Sequence, residues 1–307
     1  MSIHNLDITV VGHFSIDSIL LPSKSGPQVV LGGSVTYVSL AAKCLGSTVS
    51  IISKVGADFP EAYSRWLQEK GIDLSGVTKI TNECTTHFEL QYNESLSSRT
   101  LKLINKAPPI TLNDIPLFHN AKVVHLAPIA GEISYDVALH LRKGAEILSI
   151  DPQGLLRSFS EAGNVSYTAP AEKRLLSLVD IYKSSQDEIS ALTGRSDIHS
   201  AVKAVHDLGV GIVIVTLGAN GSMLSTGKLI HKIPACNSRE VIDPTGAGDV
   251  FMGGFLTEYV RQKDPLWCAC VGSAAASLVV EGVGSTFFGE KEEIYRRANS
   301  IYATQVR

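Results

Sequence analysis

Val241-Ile242-Asp243-Pro244-Thr245-Gly246-Ala247-Gly248-Asp249-Val250-Phe251-Met252-Gly253-Gly254-Phe255 is a polar, glycine-bearing turn that runs straight into an apolar helix. The turn suits an anion. Gly246, Ala247 and Gly248 carry almost no side chain, so their backbone N–H groups can approach a phosphate at the positive end of the helix dipole. Asp249 then sets a carboxylate in the first helical turn. It is either a favourable partner of the dipole or, beside an anion-binding turn, a group placed to take a proton from an attacking hydroxyl.

Upstream of this turn the chain repeats one pattern, in which an amphipathic helix stops at a glycine and a buried strand follows. Cys44-Leu45-Gly46 leads to Val49–Ser53, Lys143-Gly144 to Ile147–Ile150, and Leu208-Gly209 to Ile212–Thr216. Glycine in a left-handed cap is a common helix stop, and apolar β-branched strands separated by helices imply a parallel sheet covered on both faces. The fold class is therefore α/β, with a mostly parallel central sheet and helices on both faces. Such sheets bind ligands outside the carboxyl ends of their strands.

The loops with chemistry fall at those ends. Gly12-His13-Phe14-Ser15-Ile16-Asp17 follows the first strand, and its Asp17 is either a solvated loop acid or a hydroxyl ligand. Gly32-Gly33 enters the helix from Ser34 to Leu45, as a plain turn or as a floor for a ligand. Asp151-Pro152-Gln153-Gly154-Leu155-Leu156-Arg157 groups an acid, an amide and a guanidinium, against the alternative of a turn with an incidental arginine. Lys183-Ser184-Ser185-Gln186-Asp187-Glu188 and Thr216-Leu217-Gly218-Ala219-Asn220-Gly221 follow two further strands, and Gly282-Val283-Gly284-Ser285 follows a helix rich in Ala, Gly and Ser. Two segments do not extend a parallel core. Residues 16–31 are short, extended and proline-interrupted, and residues 85–104 alternate with period two as a hairpin with one exposed face. Together they predict a small β lid. Arg99 and Lys102 read as solvated strand residues there, with Lys102 the one able to turn toward a ligand.

The totals exclude several classes. A chain of 307 residues with 44% hydrophobic and 19% charged residues and a formal net charge of −3 describes a globular enzyme rather than a disordered or nucleic-acid-binding chain. The length fits a single α/β domain over residues 1–307. The five scattered cysteines, Cys44, Cys84, Cys236, Cys268 and Cys270, show no CxxC pair and read as reduced core thiols. No apolar run reaches about 18 residues, so neither a signal peptide nor a membrane span is expected, and the expectation is a cytoplasmic protein. Gly-x-x-x-x-Gly-Lys-Ser/Thr, Gly-x-Gly-x-x-Gly after the first strand, and His/Cys clusters are all missing, which disfavours P-loop kinases, dinucleotide dehydrogenases and structural zinc proteins.

The stretch around Asp249 resembles the second signature of the ribokinase-like, or PfkB-type, family of sugar and nucleoside kinases, and the resemblance continues along nearly all of the chain. It implies Asp249 as catalytic base with the Gly246, Ala247 and Gly248 amides as an anion hole. It also implies Asp17, Gly32, Gly33, Gln153 and Arg157 at the substrate, and Ser185, Thr216, Gly218, Gly221 and Gly284 at the nucleotide. Glu188 would organise magnesium through water. The cofactors implied are ATP and Mg2+, with a monovalent cation and a homodimer left open. The partner is a small-molecule polyol, sugar or nucleoside, with no nucleic acid and no membrane. Tyr37 stands where the family usually has Asn, and Ser185 where sugar kinases have the Asn of Asn-x-x-Glu. Gly12-His13, Lys54-Val55-Gly56, Thr85–Glu89, Arg99 with Leu101-Lys102, Asp151-x-Gln153-x-x-x-Arg157 and Ser184-Ser185-x-Asp187-Glu188 resemble the myo-inositol kinase branch most. A nucleoside kinase and a noncatalytic polyol- or nucleotide-binding regulator are the alternatives.

Overall fold

Apolar, β-branched runs that follow glycine-ended helices all enter one sheet. The computed structural model describes residues 6–116, 120–170 and 173–305. In chain order, β1 (Leu6–Val11) leads to β2 (Ser15–Leu20) and β3 (Gln28–Gly32). Then come α1 (Ser34–Cys44), β4 (Val49–Gly56), α2 (Glu61–Glu69), β5 (Asp73–Ile80), β6 (Thr86–Tyr92) and β7 (Arg99–Asn105). The middle of the chain gives β8 (Ala121–Leu126), α3 (Tyr135–Lys143), β9 (Ala145–Ile150), the short α4 (Gln153–Leu156), β10 (Arg157–Phe159) and β11 (Val165–Tyr167). It continues with β12 (Ile181–Ser185), α5 (Gln186–Thr193), α6 (Ile198–His206), β13 (Ile212–Thr216), β14 (Ser222–Ser225) and β15 (Ile230–Ile233). Helices α7 (Ala247–Val260), α8 (Pro265–Val279) and α9 (Lys291–Gln305) follow.

Among the described residues the large sheet has the order β15-β14-β13-β12-β9-β8-β1-β4-β5, parallel except where β14 and β15 join. Successive strands run outward from β1 in opposite directions, β4 and β5 to one side and β8, β9, β12 and β13 to the other. That reversal opens a crevice beyond the ends of β1 and β8, the position where doubly wound sheets bind ligands. Alternation along β1 sends Val10 to a core shared with Val38, Phe255 and Ala274, and Val11 to the opposite core with Val124, Leu141 and Ile189. A strand covered on both faces keeps no polar side, which is why these strands read as continuous apolar runs. Of the three helix-ending glycines, Gly46 and Gly209 are left-handed, at φ +95° and +103°; Gly144 ends α3 at φ −100° and needs no glycine for its backbone.

The predicted lid is a four-stranded sheet, β3-β2-β6-β7, whose strands begin and end within one or two residues of the segments read from sequence. Strand β2 pairs antiparallel with β3 and parallel with β6, and β6 forms the expected hairpin with β7. The inner face of the lid, including Ile19, Phe88 and Leu90, packs on Ile129 and Ala130 of the loop after β8. The Gly56-Ala57-Asp58 loop holds the entry to β6: Asp58 accepts from the Thr85 amide at 2.7 Å, and the Thr85 hydroxyl accepts from the Gly56 amide at 3.0 Å. Two details depart from the sequence reading. The loop after β9 is a turn of helix followed by the β10–β11 ribbon, and Cys84 is exposed rather than a core thiol. Among the described residues no helix is long and apolar enough to cross a membrane.

Helix α7 lies between α1 and α8, and its small residues set the spacing. A side chain at Gly253 would stand 2.6 Å from both Ala41 Cβ and the Val38 carbonyl, and one at Gly254 would stand 3.0 Å from Gly272 Cα. Overpacking of this kind typically costs about 1–3 kcal/mol. Gly253→Val is therefore expected to lower the unfolding free energy by at least about that much in urea titrations, whereas an unchanged midpoint and slope would show that α1 and α7 have slack.

Candidate active site

The turn before α7 is built by close approach. Gly246, the residue ahead of α7, is left-handed at φ +77°, and the Tyr37 ring occupies the space a side chain there would need. Tyr37 is thus the packing partner of the turn. Gly248 faces Lys183, whose Nζ lies 2.5 Å from where a Cβ would stand. Lys183 sits inside β12 with buried neighbours and forms a 2.5 Å ion pair with Asp151. Burial works against its ammonium, but the carboxylates of Asp151, Asp249 and Glu188 hold it well above the usual lysine range. Sequence reasoning assigned Lys183 no role. The sequence signal was weak, because the strand reads Ile181-Tyr182-Lys183-Ser184-Ser185 with three polar residues; burial in the fold is what marks the lysine, since lysine is almost never buried unpaired.

Asp249 faces this cleft from the first turn of α7, and the protein packed around it pushes its carboxyl up to about 6, against the opposing pull of Lys183. Gln153 reaches it from the loop after β9: Nε2 donates to Ser34 Oγ at 2.7 Å and to Asp249 Oδ1 at 3.4 Å. The other end of that amide accepts from Arg157 Nη2 at 2.5 Å, and Arg157 Nη1 donates to the Ile129 carbonyl at 2.9 Å. Opposite them, Asp17 is 5% exposed on β2, and burial pushes its carboxyl up to about 6. Gly32 is required beneath it, because a side chain there would collide with the Asp17 carboxylate. Gly33 lines the same cleft, so the structure brings together Asp17, Gly32, Gly33, Gln153, Arg157, Gly246 and Asp249.

Four buried polar atoms at this cleft have no hydrogen-bond partner in the protein: Ser15 Oγ, Asp17 Oδ1, Tyr37 Oη and Arg157 Nε. Leaving one such group unsatisfied costs about 1–3 kcal/mol, so four converging on one small space mark a site for a polar ligand. Arg99 lines the cleft as well. Its residue surface is exposed, as the sequence reading had it and as that of Lys102 is, but its Nη1 donates to Tyr92 Oη at 2.9 Å and so stands at the cleft. The aromatic faces here are already used, with Arg157 5.6 Å from the Phe88 centroid and Arg99 5.8 Å from that of Tyr92.

The residues expected at a nucleotide divide into two kinds. Ser185 and Glu188 form a capping box at the start of α5, with the Ser185 amide donating to Glu188 Oε2 at 2.7 Å and the Glu188 amide to Ser185 Oγ at 3.3 Å. The Ser-x-x-Glu spacing is itself a sequence signature of that motif. Gly221 turns the chain at φ +85° against the Ile233 carbonyl, and Gly284 is buried against Val30 of β3 with its N–H donated to Asp243 at 2.9 Å. Thr216, by contrast, ends β13 with its hydroxyl 3.4 Å from the Ser184 carbonyl, and Gly218 lies in the turn that follows, where a side chain would meet only open space. Among the described residues no group of three or more His, Cys, Asp or Glu could hold a metal ion.

The model of the pfkB family carbohydrate kinases matches residues 5–292, and the chain belongs to that family. The cytidine kinase of Thermococcus kodakarensis is 30% identical over 289 residues, covering 91% of this chain and 98% of that protein. The inositol 3-kinase of Arabidopsis thaliana is 26% identical over 317 residues, covering 96% of this chain and 81% of that protein. A pyrophosphate-dependent kinase of the ribokinase family, solved with a pyrophosphate analogue and myo-inositol, superposes with a TM-score of 0.79 at 23% identity, over 94% of this chain and 99% of that one. The chain is thus a sugar or nucleoside kinase with the ribokinase-like fold.

Asp17 yields a prediction with a definite sign. Its carboxyl titrates at about 6 when folded against an ordinary value of 3.8, so the folded state holds the proton more tightly, and the charge erodes stability as pH rises through that interval. Asp17→Asn should therefore gain melting temperature over the wild type at pH 8 and lose most of that gain at pH 4. Equal differences at both pH values, measured by thermal unfolding, would show that Asp17 is not strained by burial.

Proposed function

We propose that this pfkB-family chain works as one kinase unit that transfers the terminal phosphoryl group of ATP to a hydroxyl of a small polyol, with myo-inositol as the acceptor. The observation that carries the polyol is the set of unpaired atoms from Ser15, Asp17, Tyr37 and Arg157 around Asp249: donors and acceptors converge, as a ring of hydroxyls requires. A nucleoside acceptor that stacked its base on Phe88 or Tyr92 would meet a guanidinium already lying over one face of each ring.

In this reading the acceptor oxygen attacks the terminal phosphorus, and its proton passes to an Asp249 carboxylate oxygen. The bond from phosphorus to the bridging oxygen breaks, and the electron pair leaves with ADP. Gln153 holds Asp249 toward the acceptor, and Asp17 fixes the acceptor from the lid side. The Gly246, Ala247 and Gly248 amides meet the charge that develops on the transferred group, with the Lys183 ammonium beside Gly248 adding a fixed positive charge. Thr216 and Gly218 end the neighbouring strand and would face the donor. The residues present do not make a metal cage, since Glu188 is committed to the start of α5 and lies 3.5 Å from the Tyr167 hydroxyl. Magnesium, held mainly by donor oxygens and water, would meet Glu188 only through water.

The test is a coupled assay offering myo-inositol, ribose, fructose 6-phosphate, cytidine and adenosine, with ATP or pyrophosphate as donor. Myo-inositol with ATP should give the highest kcat/KM. Preference for cytidine or adenosine would replace the acceptor, preference for pyrophosphate would replace the donor, and ATP binding without any turnover would make the protein a regulator. Asp249→Asn should lower turnover at least about 10²-fold while ATP affinity stays near wild type; unchanged turnover removes Asp249 from the base role.

A further inference from the structure

The lid touches the anion-binding turn directly. Tyr92 ends β6, and its hydroxyl lies 2.9 Å from Thr245 Oγ1, with the two residues 7% and 5% exposed. Thr245 immediately precedes Gly246. The phenol oxygen also accepts from Arg99 Nη1 at 2.9 Å, either hydroxyl of the Tyr92–Thr245 pair being able to donate to the other, and Arg99 lines the cleft. A second tie runs from the same turn to the edge strand β3 of the lid. Asp243 accepts from the amides of Thr245 and Gly284, both at 2.9 Å, and the neighbouring Ser285 hydroxyl donates to the Leu31 carbonyl of β3 at 2.7 Å. The turn is therefore tied to two strands of the lid, β6 and β3.

We propose that Tyr92 is a positioning residue that sets the anion-binding turn through Thr245, so that the lid strand carrying Arg99 into the acceptor cleft also fixes the amides that receive the donor. The proposal rests on the kinase reading. An acceptor that engages Arg99 tightens the Arg99–Tyr92–Thr245 chain and with it Gly246, in left-handed geometry against Tyr37. Without the acceptor the chain is looser and the turn less often in its reactive geometry. The consequence is economy of donor: phosphoryl transfer to water is held down until a polyol is present, because the amides of Gly246 to Gly248 are aligned only under a seated lid.

Two variants remove the bond with little change of shape, Tyr92→Phe and Thr245→Val, while Thr245→Ser keeps the hydroxyl. With ATP and myo-inositol as probes, Tyr92→Phe and Thr245→Val should each lower kcat by about 5- to 10-fold, the worth of one buried hydrogen bond. Acceptor-independent ATP hydrolysis should rise relative to phosphorylation by a similar factor. Thr245→Ser should restore the wild-type ratio, and the Tyr92→Phe/Thr245→Val double variant should be no worse than either single one, as for residues acting as a pair. A purely structural contact would lower melting temperature and both rates together and leave their ratio alone. A second arm needs no ligand: amide exchange at residues 245–250 should quicken in Tyr92→Phe while α9 is unchanged. An unaltered ratio with additive variants, or unaltered exchange at the turn, overturns the proposal. Failure of the wild type to phosphorylate any polyol would instead count against the polyol reading, with the exchange arm still deciding the Tyr92–Thr245 contact.

Discussion

The structure depends on how closely the start of α7 approaches β12. Gly248 leaves room for the Lys183 ammonium, Gly246 leaves room for the Tyr37 ring, and Gly253 and Gly254 let the rest of the helix sink between α1 and α8. Once the helix end is that deep, Asp249 is forced into a dense environment beside Lys183 and Asp151, and its charge becomes costly. A carboxyl pushed to about 6 is a poor contributor to stability and a suitable proton acceptor near neutral pH. The same trade appears at Asp17, whose carboxylate leaves one oxygen unpaired above Gly32. Stability is sacrificed at both carboxylates, and they face the same cleft.

Much of this was legible in the sequence, for physical reasons. Parallel strands buried on both faces are mostly apolar, so β1, β4, β9 and β13 declared themselves even with a few buried polar residues among them, and the period-two alternation of β6 set the lid apart from them. Asp17 and Gly32 could be read separately, but their dependence on each other could not, because it arises only when β2 pairs with β3 and sets Gly32 opposite Ser15. Lys183 was missed for a related reason: a long cationic side chain looks solvated in sequence, and only the fold reveals which ones point inward. Arg99 is exposed, as read, yet the fold brings its guanidinium to Tyr92 at the cleft.

The residues expected at a nucleotide illustrate the opposite limit. Glycines in a loop suggest ligand contact, yet Gly221 and Gly284 answer to backbone geometry and packing against Ile233 and Val30, while Gly218 alone of the three opens to space. Ser185 and Glu188 are engaged with each other as a helix cap. A motif names positions; the distances decide which of them have atoms to spare for a ligand. At the acceptor side those spare atoms are numerous and converge, and there the physical case for a polyol is strongest.

The central claim, that Asp249 is the proton acceptor at a half-buried anion-binding turn, is tested most directly by the pH dependence of kcat with saturating donor and acceptor. The account predicts a rate that rises with pH through a midpoint near 6, because only the deprotonated carboxylate can take the hydroxyl proton, and a residual rate in Asp249→Asn that lacks this midpoint. A wild-type rate that is flat between pH 5 and 8, or an Asp249→Asn variant that keeps the same midpoint, would contradict it.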